Sequence, residues 1–385
     1  MRSARFKAIE RNYNRFTIPT QATVAAYLPG SLAKAGRGLF AADEYRQVRD
    51  FFEARPRLAP TPARQLPALA RALGVDRVTI KDETSRFGLN SFKLLGAHFA
   101  IETLRAEGSL RGGHTVACAS EGNHGRAVAR AAREAGCKVR VYMAADAASA
   151  RVDAIAGEGA VVVRVDGSYD TAVRTMSADA AAQGLTIVSD TSWEGYDRIP
   201  RLIMLGYTRM MDEVGEPMDA VFVQGGVGGL LCSIASWCAW HQGRCKVVSV
   251  EPTTAACLQA SARAGRPTPV EGPLTTTMAG LRNREVSPLA FGPVRETVDG
   301  YLAIDDVWAH RAMRTLARPD DGDPRVAAGS AGSAALGGLL AICRDADMQT
   351  AREHLGLDAN ARVLVLVTEG VTDPGLWTRI TRGDP

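Results

Sequence analysis

An α/β fold of two doubly wound domains is what this 385-residue chain predicts, on three observations. Short β-branched runs alternate with segments of helical period from residue 78 onward, which implies parallel sheets covered by helices on both faces. The alternation falls into two series, punctuated by Glu194-Gly195-Tyr196 and Pro200. The length itself suits two domains.

Taken in order, Val78-Thr79-Ile80 reads as a strand and residues 92–106 as a helix. A strand over 114–119, a helix over 123–135, strands over 138–143 and 160–166 with a helix over 147–158 between them, and a short strand over 186–189 complete the first series. The second series runs through a helix over 199–214, the strand Ala220-Val221-Phe222-Val223, a helix over 228–241 and a strand over 246–250. Residues 362–367 form a late, apolar strand. Residues 1–60 carry few strand signals and many arginines, and read as a helical or wrapping segment. The expected partition is a large domain of residues 1–90 and 201–385, and a small α/β domain of residues 91–200.

Composition narrows the function. A formal charge of +4 with no Lys/Arg block argues against nucleic acid as a partner. No stretch reaches the ~18 apolar residues of a membrane span, and nothing apolar follows the first residues as a secretory signal would. The 7 cysteines are scattered and never in a C-x-x-C arrangement, so they read as reduced thiols of a cytoplasmic protein. His98, His114, His241, His310 and His354 lack metal-ligand spacing. Trp237 and Trp240, three apart on one helix, read as core.

Three motifs carry the chemistry. Lys93 follows Asn90 and Ser91, which can cap a helix whose first turn holds the lysine. With Phe92, Leu94 and Leu95 around it, the amine either snorkels to water or is desolvated and suited to forming an imine. About 30 residues later, Ser120-Glu121-Gly122-Asn123-His124-Gly125 opens a second helix after a strand. Amides at such a helix start suit an anion, here a substrate carboxylate, while Asn123 can hydrogen-bond an aromatic hydroxyl and Gly122 admits a ligand close to the backbone. The same loop also reads as a plain turn with Glu121 against the helix dipole. Third, Gln224-Gly225-Gly226-Val227-Gly228-Gly229 follows an apolar strand and opens a helix, the setting of a phosphate seat. Glu251, ending the next strand, sits where a ribose-binding acid would. The dinucleotide spacing nevertheless needs glycine at 231, which is Leu231, and no Gly-Lys-Ser/Thr follows. A generic phosphate cradle fits best.

The three motifs in this order resemble the fold-type II, tryptophan synthase β-like, pyridoxal 5'-phosphate (PLP) enzymes, and within them the diaminopropionate ammonia-lyases. The resemblance rests on Lys81-Asp82-Glu83 through Arg86-Phe87-Gly88-Leu89-Asn90 to Lys93, on Glu121 to Arg126, and on Asp190-Thr191-Ser192-Trp193-Glu194-Gly195-Tyr196. Met278-Ala279-Gly280-Leu281 and Thr368-Glu369-Gly370 with Thr372-Asp373-Pro374 complete it. It implies that Lys93 holds the cofactor in a Schiff base and that Asn123 contacts the pyridine hydroxyl. It further implies Gly225, Gly226, Val227, Gly228 and Gly229 on the phosphate and Thr368 on the pyridine nitrogen. The large domain would then be the cofactor-binding one.

Lys93, Glu121 and Asp190 would be catalytic, with Ser120, Gly122 and His124 on the substrate. The implied activity is α,β-elimination of ammonia from 2,3-diaminopropionate or a close β-substituted amino acid, in a cytoplasmic homodimer. Three departures from the family pattern stand out. Glu121 replaces the usual aspartate, Gly329-Ser330-Ala331-Gly332-Ser333 lacks the usual acid, and Arg282-Asn283-Arg284 supplies no cysteine to pair with Cys257. They keep β-replacement, racemisation or dehydration open as alternatives; a non-catalytic or nucleotide-binding α/β protein is the reading from another class.

Overall fold

A computed structural model of the chain describes residues 22–30, 38–120, 122–167, 169–320 and 322–382. Its strands are β1 (Val24–Tyr27), β2 (Ala63–Gln65), β3 (Arg77–Asp82), β4 (Thr115–Ala119), β5 (Lys138–Ala144) and β6 (Val161–Val165), then β7 (Thr186–Ile187), β8 (Ala220–Gln224), β9 (Lys246–Pro252), β10 (Gly300–Ile304) and β11 (Arg362–Val367). They form two sheets, one in each of two compact units. This is the α/β architecture that the alternating pattern implied.

The first unit comprises residues 1–40, 60–86 and 210–385. Its sheet runs β1-β10-β9-β8-β11-β3-β2, and the five inner strands are parallel. β8 and β10 are buried at every position, which is why the inner strands read as apolar runs rather than alternating ones. The expectation of parallel pairing fails at the edges, where β1 lies antiparallel to β10 and β2 antiparallel to β3. β2, Ala63-Arg64-Gln65, has no strand former and two exposed side chains, so nothing local announces it. Helix Ser330–Arg344 is buried from Ser330 through Ile342. Glycine allows this, because a Cβ on Gly338 would lie 2.6 Å from Val250 Cγ2 and one on Gly337 2.9 Å from the Trp308 carbonyl carbon. Trp237 is buried and donates to Asp212 over 2.9 Å, but Trp240 is 44% exposed and no part of the core.

The second unit comprises residues 41–59 and 87–209. Its four strands are all parallel, in the order β6-β5-β4-β7. Helix Ala42–Glu53 joins it by burying Tyr45, Val48 and Phe52, spaced on one helical face. Phe51 meets Phe99 edge-on at 5.2 Å. β4 and β7 are neighbours, so the loops after their carboxyl ends emerge side by side, the place where open α/β sheets gather functional groups.

Two glycines set the packing of helix Lys93–Ala106 on helix Arg198–Tyr207. A Cβ at Gly96 would be 2.5 Å from Tyr207 Cε1, and one at Gly206 2.7 Å from the Leu95 carbonyl oxygen. Only hydrogen at both positions lets the backbones approach this closely.

Candidate active site

Lys93 begins its helix directly after a loop of unusual backbone. Phe87 and Asn90 have φ of 51° and 58°, in the left-handed region, with Gly88 between them at 71°. Two non-glycine residues held there mark a locally strained approach to the lysine. The loop is anchored by Arg126, whose Nη1 donates to the Leu89 carbonyl over 3.3 Å.

The Lys93 amine turns inward and donates to Asp190 Oδ2 at 2.5 Å. The two side chains keep 25% and 20% exposure, so the pair is within reach of solvent rather than sealed in the core. The amine also lies 5.2 Å from the Phe92 ring centroid and 5.7 Å from that of Tyr207, within cation–π range. Burial works against the ammonium, but the Asp190 carboxylate outweighs it and holds Lys93 above the ordinary lysine range. Burial likewise opposes the Asp190 anion; its neighbours His124 and the Lys93 ammonium hold the carboxyl below the ordinary carboxylate range.

Asp190 follows β7, and the Trp-Glu-Gly-Tyr segment holds its loop. Tyr196 accepts a hydrogen bond from Ser189 N over 3.0 Å and donates to the Ile187 carbonyl over 2.9 Å. Its ring stacks on Trp193, centroids 3.9 Å apart at 10°. Sequence reading used Trp193 and Tyr196 only as a signature; the structure gives Tyr196 the job of fixing the backbone on either side of Val188, just ahead of Asp190.

From the neighbouring strand, Ser120 Oγ accepts from the amides of Gly122 and Gly125 over 3.3 and 3.0 Å and so caps helix Asn123–Glu134. His124 Nε2 donates to the Val188 carbonyl over 3.0 Å. With that nitrogen carrying the proton, Nδ1 presents a lone pair; it has no hydrogen-bond partner and lies 3.6 Å from Asp190 Oδ2. Burial lowers the His124 pKa, favouring this neutral form. Lys93, Asp190, His124 and Ser120 are thus brought into one region of the second unit. Glu121 lies outside the described residues.

Sequence reading missed Tyr207. Its ring meets Phe92 at 4.8 Å, and its buried hydroxyl interacts with Lys93 so as to favour the charged amine. The only local signal is the Gly206-Tyr207 step in an apolar helix, which does not reveal what the ring faces.

In the first unit, the glycine run follows β8 and Thr368 follows β11, the strand paired with β8. They therefore share the carboxyl edge of that sheet. Gly226 and Gly228 have φ of 59° and 96°. A Cβ at Gly225 would lie 2.6 Å from Glu251 Cγ and 2.9 Å from Leu258 Cδ1. The amides of Gly226 and Val227 donate to no described acceptor, leaving a small cradle of N–H groups at a helix start.

Glu251 is not free to bind a ribose: it is buried, and its two oxygens accept from Leu258 N and Gln259 N over 2.8 and 2.9 Å, capping helix Cys257–Ala264. The Glu369 carboxylate borders the late glycine loop, its Oε1 3.2 Å from where a Gly329 Cβ would stand. Ser330 Oγ donates to the Thr277 carbonyl at 2.5 Å and ties that loop to the Met278–Leu281 turn.

Lys81, Glu83, Arg86 and Glu213 form a separate buried ion network, each side chain at most 1% exposed. Lys81 Nζ lies 2.7 Å from Glu213 and 3.2 Å from Glu83. Two cations and two anions balance, which accounts for the Lys-Asp-Glu and Arg-Phe-Gly signatures as structure rather than catalysis.

Residues 54–369 match the model of the pyridoxal-phosphate dependent enzyme family. The chain belongs to that family. It is 35% identical to the diaminopropionate ammonia-lyase of Escherichia coli K12 over 87% of this chain and 90% of that one. The crystal structure of holo diaminopropionate ammonia-lyase from Escherichia coli superposes with a TM-score of 0.86 at 31% identity, covering 94% of this chain and 98% of that one. A second crystal structure of the Escherichia coli enzyme, in complex with an aminoacrylate-PLP azomethine reaction intermediate, gives 0.85 at 32% identity, again covering 94% and 98%. The family's cofactor is pyridoxal phosphate, and the residues present fit it. An amine sits at a helix start, unclaimed amides lie in a run where Gly225 is too crowded for a side chain and Gly226 and Gly228 take left-handed φ, and a buried threonine follows the adjacent strand.

Proposed function

We propose that this protein is a pyridoxal-phosphate lyase that eliminates ammonia from 2,3-diaminopropionate, or a close β-substituted amino acid, to give pyruvate and ammonia. One observation carries the reading beyond the family: the pocket around Lys93 is built to hold an ammonium. Asp190 supplies the anion at 2.5 Å, and His124 Nδ1 presents a lone pair 3.6 Å from the same carboxylate. A substrate with a second amino group matches that seat, as a hydroxy amino acid does not. The high similarity to diaminopropionate ammonia-lyases supports the same choice.

Lys93, Asn123, the Gly225 to Gly229 amides and Thr368 would hold the cofactor. When bound, pyridoxal phosphate supplies an electron sink for the substrate's α-carbon. The protein's own residues do the rest. Asp190 exchanges the Lys93 ammonium for the substrate's distal ammonium and holds it. Lys93 would give up its extra proton to water on binding the cofactor and so be released by the substrate as a neutral amine. That amine removes the α-proton at Nζ, with Glu121 as a second base by family resemblance. The distal ammonium already carries the proton it needs, so as the electrons of the α-C–H bond form the Cα–Cβ double bond the C–N pair departs with nitrogen, which leaves as ammonia, and Lys93 Nζ keeps the α-proton. One water enters in hydrolysis, so diaminopropionate and water give pyruvate and two ammonia. Ser120, Gly122 and His124 would line the substrate side, and we carry over from the resemblance a cytoplasmic homodimer.

The test is an absorbance scan of the purified protein with β-amino, β-hydroxy and β-thio amino acids, following 2-oxo acid release. Pyruvate and ammonia in a 1:2 ratio from the diamino acid are expected, with much slower release from serine. No 2-oxo acid from any of them, or formation of a new amino acid instead, overturns the lyase reading.

A further inference from the structure

The approach to Lys93 runs through Phe87, Gly88 and Asn90 at φ of 51°, 71° and 58°. Left-handed backbone at non-glycine residues persists only where its surroundings hold it there. Arg126 supplies one such restraint, its Nη1 donating to the Leu89 carbonyl over 3.3 Å. Arg126 is itself held: its Nη2 donates over 3.3 Å to Oε1 of the buried Glu158, which follows helix Ser149–Ala156. Arg130 Nε donates to the other oxygen of that carboxylate over 2.7 Å, and Arg133 Nη2 lies 3.6 Å from it. Residues 126, 130 and 133 share one face of helix Asn123–Glu134, so a single acid gathers three arginines of one helix. The three are not equivalent. Among the described residues Arg130 donates to Glu158 alone, whereas the Arg126 guanidinium spans the carboxylate and the loop.

We infer that Arg126 is a positioning residue for Lys93: by bridging Glu158 to the Leu89 carbonyl, it holds the left-handed loop that decides where the Lys93 helix begins. A planar guanidinium with donors on both terminal nitrogens spans two fixed acceptors; a lysine offers one ammonium on a flexible stem. The same first turn of helix Asn123–Glu134 carries His124, whose Nε2 donates to the Val188 carbonyl two residues ahead of Asp190. One helical turn thus aligns both partners of the Lys93–Asp190 pair, Arg126 from the lysine side and His124 from the aspartate side. Packing fixes that turn in place, since a Cβ at Gly125 would stand 3.2 Å from Ile155 Cδ1 and from Val141 Cγ1. Ile155 lies in the helix that Glu158 follows, so the carboxylate and the turn it restrains share one support. Lys93 as the reactive amine belongs to the function proposed above; the restraint of its loop by Arg126 does not depend on it.

The experiment compares Arg126→Lys with Arg130→Lys in the full chain. Both take a guanidinium from Glu158 and keep the charge, but only the first releases Leu89. Their thermal midpoints should fall by similar amounts. Amide hydrogen exchange over residues 87–92, followed by mass spectrometry, should speed up about threefold or more in Arg126→Lys and keep the wild-type rate in Arg130→Lys. Capture of Lys93 by pyridoxal phosphate and borohydride should slow about tenfold in the first and stay unchanged in the second. In turnover of 2,3-diaminopropionate, kcat of Arg126→Lys should fall about ten- to a hundredfold with KM nearly unchanged, the range for a reacting group displaced by about an ångström. Arg126→Met and Arg130→Met, in which no donor survives, should repeat the contrast and guard against a lysine that still reaches Leu89. Exchange and capture rates that are equal within both pairs, whether wild-type or impaired, overturn the inference. If the wild type fails to turn over the diamino acid, the proposed function falls while exchange and capture still decide the role of Arg126.

Discussion

Lys93 Nζ and Asp190 Oδ2, 2.5 Å apart, join the start of one helix to the loop after β7. The lysine is raised and the aspartate lowered from their ordinary values, so the pair is charged at neutral pH. For the lysine, stabilisation is complete below the ordinary lysine pKa and lost only as pH climbs past the raised value. For the aspartate it is complete above the ordinary carboxylate pKa and lost as pH falls. Between roughly pH 5 and 9 neither group titrates, given unperturbed values of about 4 and 10.

Asp190→Asn therefore has two expected effects. The KM for 2,3-diaminopropionate should rise at least about tenfold, because a charge-assisted hydrogen bond contributes roughly 1.5–3 kcal/mol and about 1.4 kcal/mol is a factor of ten. Serine, without a distal amine, should be far less affected. Lys93, without its carboxylate partner, should titrate lower, adding to the thermal midpoint a pH dependence beyond that of the wild type. Steady-state kinetics on both substrates and a melting series across pH check this.

Tyr196→Phe strands the Ser189 amide and the Ile187 carbonyl while keeping the ring on Trp193. The expected loss is about 1–3 kcal/mol of stability. The looser Asp190 loop should raise KM for the diamino acid more than it lowers kcat. Denaturant titration and kinetics together separate this from simple unfolding.

Burial pushes Glu251 up to about 8, against the two amides that favour its charge. The folded state then binds the proton more readily than the unfolded one, so its contribution is present below the ordinary glutamate pKa and is lost as pH rises toward 8. The thermal midpoint should slope downward over that window. Glu251→Gln should remove the slope and, by setting a side-chain N–H against a backbone N–H, cost about 1–3 kcal/mol.

Gly225→Ala places a Cβ 2.6 Å from Glu251 Cγ and 2.9 Å from Leu258 Cδ1. Overpacking of this kind costs typically about 1–3 kcal/mol. Since the same loop is the proposed phosphate seat, affinity for pyridoxal phosphate should fall by about tenfold or more, measured by equilibrium titration of the apoprotein.

Local pattern made much of this molecule readable. The strand–loop–helix rhythm marked the inner strands and the helix at Lys93, because parallel strands buried on both faces are apolar throughout. The glycine run was legible because left-handed turns and close backbone contacts admit little else. β1 and β2 were not, since antiparallel edge strands take their pairing from distant partners. Glu251 misled for a related reason: its spacing suits a ribose, but its place at a helix start makes it a cap. The roles of Tyr207 and Tyr196 escaped the sequence because they depend on which helix or loop lies opposite.

The clamp on Lys93 also bears on what the protein ignores. An ammonium paired with a carboxylate is a poor nucleophile, so the sugars and small carbonyl compounds of a cell find little to react with in the unloaded chain. An aldehyde held in place long enough to outwait the rare neutral moment of that amine gains the advantage, and a phosphate tail is one way to be held. Resistance to stray glycation at this lysine would then come from the same ion pair that prepares the site for its cofactor.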